Sequence, residues 1–131
     1  MGCSILYNMA AMGVRQALLL ESGTLAGGST GRSMAILRMH YSNEVTARMS
    51  WESLAVFKRF EELTGGSSGY VRTGYLLVAP SEYGQVLREN VAMQRRLGVE
   101  TAVVDAGGMA AMAPWFAFSE GEACAYEPES G

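Results

Sequence analysis

Apolar residues recur along the chain with two different periods, broken by glycine-rich stretches. Ile5, Leu6, Met9 and Met12 share one face at helical spacing, and Gly13 stands where a helix would stop. Ala17–Leu20 is a short, unbroken apolar run of the kind found in strands buried on both faces. Residues 22–34 are rich in Gly, Ser and Thr and read as an extended loop. Asn43 is placed to cap a helix running to about Thr64, with Val45, Met49, Val56, Phe57, Phe60 and Leu63 as its apolar stripe. The run Gly65–Gly69 interrupts the chain again.

Beyond that break, Tyr70–Ala79 holds β-prone residues around Gly74 and predicts one or two strands. Pro80-Ser81-Glu82 predicts a helix start with Ser81 as the cap, and Tyr83, Val86, Leu87, Met93 and Leu97 as the apolar face up to Gly98. Val99–Val104 predicts a strand, Asp105 a cap for a short helix through Met112, and Ala123–Tyr126 a last strand. The order is a mixed α/β one, and the leading segment need not share a sheet with the later strands.

Composition narrows the class. Of 131 residues, 49% are hydrophobic and 18% charged, which supports a packed core rather than disorder. A net charge of -3 supplies no surplus of Lys and Arg, so nucleic acid and anionic membrane are not expected partners. No apolar run approaches the roughly 20 residues of a membrane span. Cys3 and Cys124 lie far apart, match no metal spacing, and read as free thiols of a cytoplasmic protein.

Three features carry candidate chemistry. Gly2 opens the first helix, whose N-terminus offers unpaired N–H groups to a phosphate. Glu21 ends the next apolar run, about twenty residues on, where a dinucleotide fold places the carboxylate that accepts from a ribose. The alternative reading of Glu21 is an ordinary surface residue. Between Gly27 and Ser33, Ser29, Thr30, Arg32 and Ser33 supply donors that suit phosphate, although the same composition suits a plain surface loop. Together they read as the second half of a dinucleotide-binding unit, with its first strand and first two glycines expected ahead of Met1. His40 is the only histidine and reads as a structural residue. Arg38 either faces a bound ligand or pairs with Glu44. Met9, Met12, Met49 and Met93 read as core filling on helical faces, and Trp51, Trp115 and Phe116 as core or cover residues. The cluster Arg88, Arg95 and Arg96 reads as a solvated helix face.

The stretch Glu21–Ser33, continuing through Ile36-Leu37-Arg38 and His40–Glu44, resembles FAD-dependent oxidoreductases of the D-amino-acid oxidase type, in the branch of sarcosine oxidase β-subunit, dimethylglycine dehydrogenase and glycine oxidase. Thr73–Leu77, Gln94–Val99, Pro114 and Ala125–Gly131 extend the likeness over nearly the whole chain, which corresponds to an N-terminal portion of such a protein. The resemblance implies a partial Rossmann-like FAD-binding unit over residues 1–69, lacking its first strand and joined to part of a substrate-domain sheet with helices over residues 70–131. It implies FAD as cofactor, held by Gly2, Glu21, Ser22, Ser29, Thr30, Arg32, Ser33 and Ile36. A small secondary or tertiary amine, or an amino acid, would lose a hydride to the flavin. No catalytic residue and no metal ligand is implied. The remainder of the fold, or another subunit, is the expected partner, and the chain alone is expected to be inactive and to bind FAD weakly. The alternative is a non-catalytic relic, interaction domain or subunit fragment that keeps the fold pattern without cofactor.

Overall fold

A computed structural model describes residues 1–131. The chain forms two compact units, Met1–Ala35 and Ile36–Gly131.

The first unit is one helix followed by loop. Helix α1 spans Gly2–Ala11, and Gly13 with φ 90° turns the chain at its end, as the apolar spacing predicts. Ala17–Leu20 is not a strand. A strand needs a neighbour to take its N–H and C=O groups, and no segment of the unit pairs with it. Leu18 and Leu20 are 81% and 83% exposed, so one face of the run is open where burial on both was expected. Leu19 alone turns inward, against Gly2. No residue of this unit is buried, and the expected core methionines Met9 and Met12 lie exposed.

The second unit builds the core. Asn43 caps α2, Glu44–Lys58, accepting from the Thr46 N–H at 3.1 Å. The predicted single helix breaks at Arg59, whose non-helical φ and ψ (-108°, 19°) close α2 and open α3, Phe60–Thr64. The buried face of α2 is also displaced from the predicted stripe. Ala47 and Leu54 are buried, with Trp51 and Phe57 partly covered beside them, whereas Val45, Met49 and Val56 face solvent. The cause is that Leu54 packs on Met39 and Val99, which lie under the 47/51/54 side of the helix.

Three strands form one antiparallel sheet in the order β1 (Tyr75–Ala79), β3 (Ala123–Glu127), β2 (Ala102–Val104). Tyr75 pairs with Glu127, and Val103 and Leu77 both flank Ala125. Helix α4, Gly84–Arg96, covers β3 through Leu87 and Val91. Its start differs from the prediction: the Ser81 side chain caps nothing, and a short 3-10 turn over Ser81–Tyr83 leads into the helix. Its buried face is Gly84, Leu87, Val91 and Gln94, with Tyr83 and Val86 outside. The strand predicted over 99–104 shortens to β2, because Val99 leaves the sheet to join the Met39 cluster. Asp105 caps α5, Ala106–Met112, through the Gly108 N–H at 2.7 Å, as predicted. Trp115 and Phe116 lie exposed rather than in a core, while Trp51 packs beside Met39.

Candidate functional site

In the first unit, Gly2 sits where α1 meets the Ala17–Leu20 run. A Cβ at Gly2 would come within 2.9 Å of Leu19 Cδ1, so a larger residue there would make the Leu19 side chain shift. Past the run, Glu21 Oε1 accepts from the Gly23 N–H at 2.8 Å, which folds residues 21–23 into a tight bend. The Glu21 carboxylate and Ser22 are both exposed.

The Gly27–Ser33 loop is ordered by its own backbone. Gly27 N–H donates to Thr24 O, Gly31 N–H to Ala26 O, and a 3-10 turn covers Thr30–Arg32. A side chain at Gly31 would collide with the Ala26 carbonyl, and one at Gly27 would meet Thr24 within 3.0 Å. Ala26 and Ala35 hold positive φ of 61° and 54°, costing about 1 kcal/mol each. Ser33 Oγ accepts from the Ala35 N–H at 3.0 Å, whereas Ser29, Thr30 and Arg32 project into solvent. These residues share one loop; Gly2 and Glu21 stand at the two ends of the helix-and-run pair that precedes it.

Ile36 lies in the second unit and lines an open cavity of about 260 Å³ together with Arg38, Tyr41, Thr46, Met49 and Ser50. Sites for drug-sized ligands run to roughly 300–1,000 Å³, so this one suits a smaller molecule. Arg38 does not pair with Glu44, which binds Arg48 instead at 3.4 Å. Its guanidinium lies between two rings, 5.2 Å from the centroid of Tyr41 and 5.8 Å from that of Tyr75, and donates to the Tyr75 hydroxyl at 3.3 Å. That bond, with the electron-rich tyrosines on either side, holds Arg38 charged and above its ordinary pKa. No carboxylate neutralises it. Tyr41 and Tyr75 carry no motif of their own; the signal that could have found them is one arginine beside a segment rich in tyrosine.

Beneath Arg38 lies a buried polar cluster that sequence spacing did not reveal. Glu127, only 1% exposed, accepts through Oε2 from the Met39 N–H at 2.9 Å and from Ser130 Oγ at 2.7 Å. Its Oε1 faces His40 Nδ1 at 3.7 Å, too far for a hydrogen bond, and neither atom has another partner. Burial pushes the His40 pKa down, and the positive charge of Arg38 pushes it further the same way. His40 is thus a neutral, buried residue, in keeping with its structural reading. Cys124 is buried too, and burial raises its thiol, which makes it unreactive; Cys3 is exposed. No helix is long and apolar enough to cross a membrane, and no group of three or more metal-ligating side chains gathers anywhere.

Comparison with known proteins places the chain. The family model for FAD dependent oxidoreductase (DAO) matches residues 1–131. The chain is similar to the mitochondrial pyruvate dehydrogenase phosphatase regulatory subunit of Mus musculus, with 35% identity over 82 residues, 63% of this chain and 9% of that protein. It is also similar to mitochondrial sarcosine dehydrogenase of Mus musculus, 27% identical over 135 residues, which is 100% of this chain and 14% of the relative. To mitochondrial dimethylglycine dehydrogenase of Rattus norvegicus it is 28% identical over 78 residues, 60% of this chain and 9% of the relative. The matches thus span only 9% to 14% of the length of these relatives.

Proposed function

The chain belongs to the FAD-dependent oxidoreductase family of the D-amino-acid oxidase type, and from that premise we propose that the protein oxidises a small secondary or tertiary amine or amino acid of the sarcosine, glycine or dimethylglycine kind. The observation that carries this reading is Arg38, a guanidinium without a carboxylate partner, set between Tyr41 and Tyr75 at a small cavity. Such a fork suits the carboxylate of an amino acid. The similarity to sarcosine and dimethylglycine dehydrogenases supports the amine class.

FAD is the family's cofactor, and the first unit fits it. Gly2, at the start of α1, would bring the first-turn N–H groups to a phosphate, and Glu21, with only Oε1 accepting from Gly23, would offer its other carboxylate oxygen to ribose hydroxyls. Ser22, Ser29, Thr30, Arg32 and Ser33 would supply the remaining donors, and Ile36 would continue the same stretch. We assign residues 1–69 to a Rossmann-like FAD-binding part. Residues 70–131, which contain the whole antiparallel sheet, go to a substrate-domain part. When bound, the flavin supplies an acceptor for two electrons delivered as hydride. Arg38 would fix the substrate by its carboxylate, and the tyrosine rings would exclude water from that ion pair. The amine that loses hydride becomes an iminium ion, which water hydrolyses to a carbonyl compound and the remaining amine or ammonia. His40, neutral and buried, is not assigned a proton-transfer role. The proposed location is cytoplasmic, from the free thiols; imaging of the tagged chain decides between it and the mitochondrial location in the relatives' names.

A second reading, a subunit or interaction fragment without cofactor, is favoured by the regulatory-subunit relative. Titration with FAD separates the two. The first unit has no buried core, so the 131-residue chain is expected to bind FAD weakly and to be inactive alone, but Glu21→Ala should weaken that binding about tenfold, the worth of one hydrogen bond to a charged group. Binding indifferent to Glu21 and Arg32 would sink the cofactor assignment. In flavin-bound protein, Arg38→Leu should raise KM for sarcosine about a hundredfold and leave an amine lacking a carboxylate unaffected.

A further inference from the structure

Arg38 lies on a segment, residues 36–41, that belongs to no helix or strand. Both of its chain neighbours are nevertheless fixed. Leu37 exchanges two backbone hydrogen bonds with Gly131, at 2.7 and 3.0 Å. Met39 gives its N–H to the Glu127 carboxylate. That bond stands where strand pairing runs out: β3 ends at Glu127, and the next residue, Pro128, opens a turn. The Glu127 side chain thus serves as the acceptor that one more strand carbonyl would have provided. Ser130, from the far side of the turn, donates to the same oxygen and holds the carboxylate in place.

We propose that Glu127 is a positioning residue for Arg38: its buried carboxylate clamps the backbone at Met39 so that the guanidinium is set between Tyr41 and Tyr75. This inference rests on the reading of Arg38 as a carboxylate-binding group, although its geometry is independent of that reading. Met39 and His40, 1% and 7% exposed, anchor the same segment from inside. Arg38 reaches the rings through a long flexible stem, so a loosened backbone would let the head leave them for solvent. The requirement is for an acceptor of the right shape more than for a charge. In Glu127→Gln the amide oxygen can accept from Met39 and Ser130, while its NH₂ faces His40 Nδ1, which accepts in the Nε2–H tautomer of the neutral ring.

The test uses the 131-residue chain in three variants, with NMR of the Arg38 Nε–H signal, amide exchange at Leu37 and Met39, and titration with acetate. Glu127→Ala should move the Arg38 signal to its solvent-exposed position, speed Met39 exchange at least tenfold and weaken acetate binding by a similar factor, with β1–β3 amides still protected. Glu127→Gln should stay within about twofold of the parent, and Ser130→Ala should fall between them. An Arg38 signal unmoved in Glu127→Ala, or a Gln variant as impaired as the Ala one, overturns the proposal. If the parent shows no response to acetate, the carboxylate reading of Arg38 fails, and the exchange and Arg38 shift still decide the role of Glu127. Should Glu127→Ala not fold, Ser130→Ala carries the decision: an unmoved Met39 amide there overturns the clamp.

Discussion

Residues 1–35 and 36–131 divide motif from core. The first unit carries most of the proposed cofactor residues and has none of its own side chains buried. The second carries a three-stranded sheet, two apolar clusters and a buried polar cluster, with little that a motif search would single out. The difference follows from what each is proposed to do. A phosphate site works through backbone N–H groups, small residues and exposed donors, so its sequence is visible and contributes little stability. A positioned side chain needs burial, and burial is spread over residues whose types are ordinary.

The largest test of this contrast is amide exchange. An isolated helix of ten residues is marginal in water, so α1 amides should exchange nearly unprotected. The β3 amides of Cys124 and Ala125, at the centre of the sheet, should open only with global unfolding. At an ordinary domain stability, protection should differ by about a thousandfold or more. Equal protection would erase the division.

Core truncation is the next largest effect. Leu54 is 2% exposed and packs on Met39 and Val99, so Leu54→Ala should cost about 2–4 kcal/mol in urea unfolding. Leu18 is equally apolar and 81% exposed, and Leu18→Ala should stay within about 0.5 kcal/mol. A costly Leu18→Ala would show that the first unit has a core of its own.

What the sequence disclosed follows the same line. Three caps read well, Asn43, Asp105 and Gly13, because a cap is a local bond, whereas Ser81 caps nothing because a 3-10 turn over Ser81–Tyr83 precedes α4. The strand at 123–127 and the helices α4 and α5 were legible from apolar runs and stops. Helix faces were not. Val45 and Met49 match a helical period as well as Ala47 and Trp51 do, and only the position of Met39 and Val99 decides between the two sides. Ala17–Leu20 was misread as a strand because pairing is a property of the neighbour and not of the run. In the candidate site, Glu21 and the Gly27–Ser33 loop are proposed from spacing and composition. Glu127 is not, since a glutamate beside a proline ordinarily marks an exposed turn. Arg38 could be named but not placed, because its two tyrosines come from different elements, Tyr41 ahead of α2 and Tyr75 in β1.

A smaller effect tests the buried polar cluster. His40 titrates below its ordinary value, so the folded chain binds fewer protons than the unfolded one in the window just under pH 6.5. Stability should therefore be full above pH 6.5 and decline as pH falls from there toward the folded pKa, with a slope of at most about 1.4 kcal/mol per pH unit. His40→Gln should flatten that window in a series of urea curves. An unchanged slope would place the titration elsewhere.

The smallest effect is expected at Glu129, although it has the richest set of partners. Its carboxylate takes Lys58 from the end of α2 and Arg72, the latter at 2.7 Å, and its backbone carbonyl accepts from the Tyr70 hydroxyl at 2.6 Å. The Lys58 bond, above all, holds the Glu129 carboxyl below its ordinary range. The sign is opposite to that of His40: the contribution is complete above pH 4.5 and is lost as pH falls through the lowered pKa. Both cations, however, are 36% and 64% exposed, and surface ion pairs are screened and conformationally costly. Glu129→Gln should thus cost about 1 kcal/mol or less at neutral pH, and less again in molar salt. Glu127→Ala, two residues earlier but buried, should cost more, since it strips an acceptor from the Met39 N–H and from Ser130. If Glu129→Gln matches Leu54→Ala, surface charge rather than burial holds the second unit together, and the contrast between the two regions rests on the wrong force.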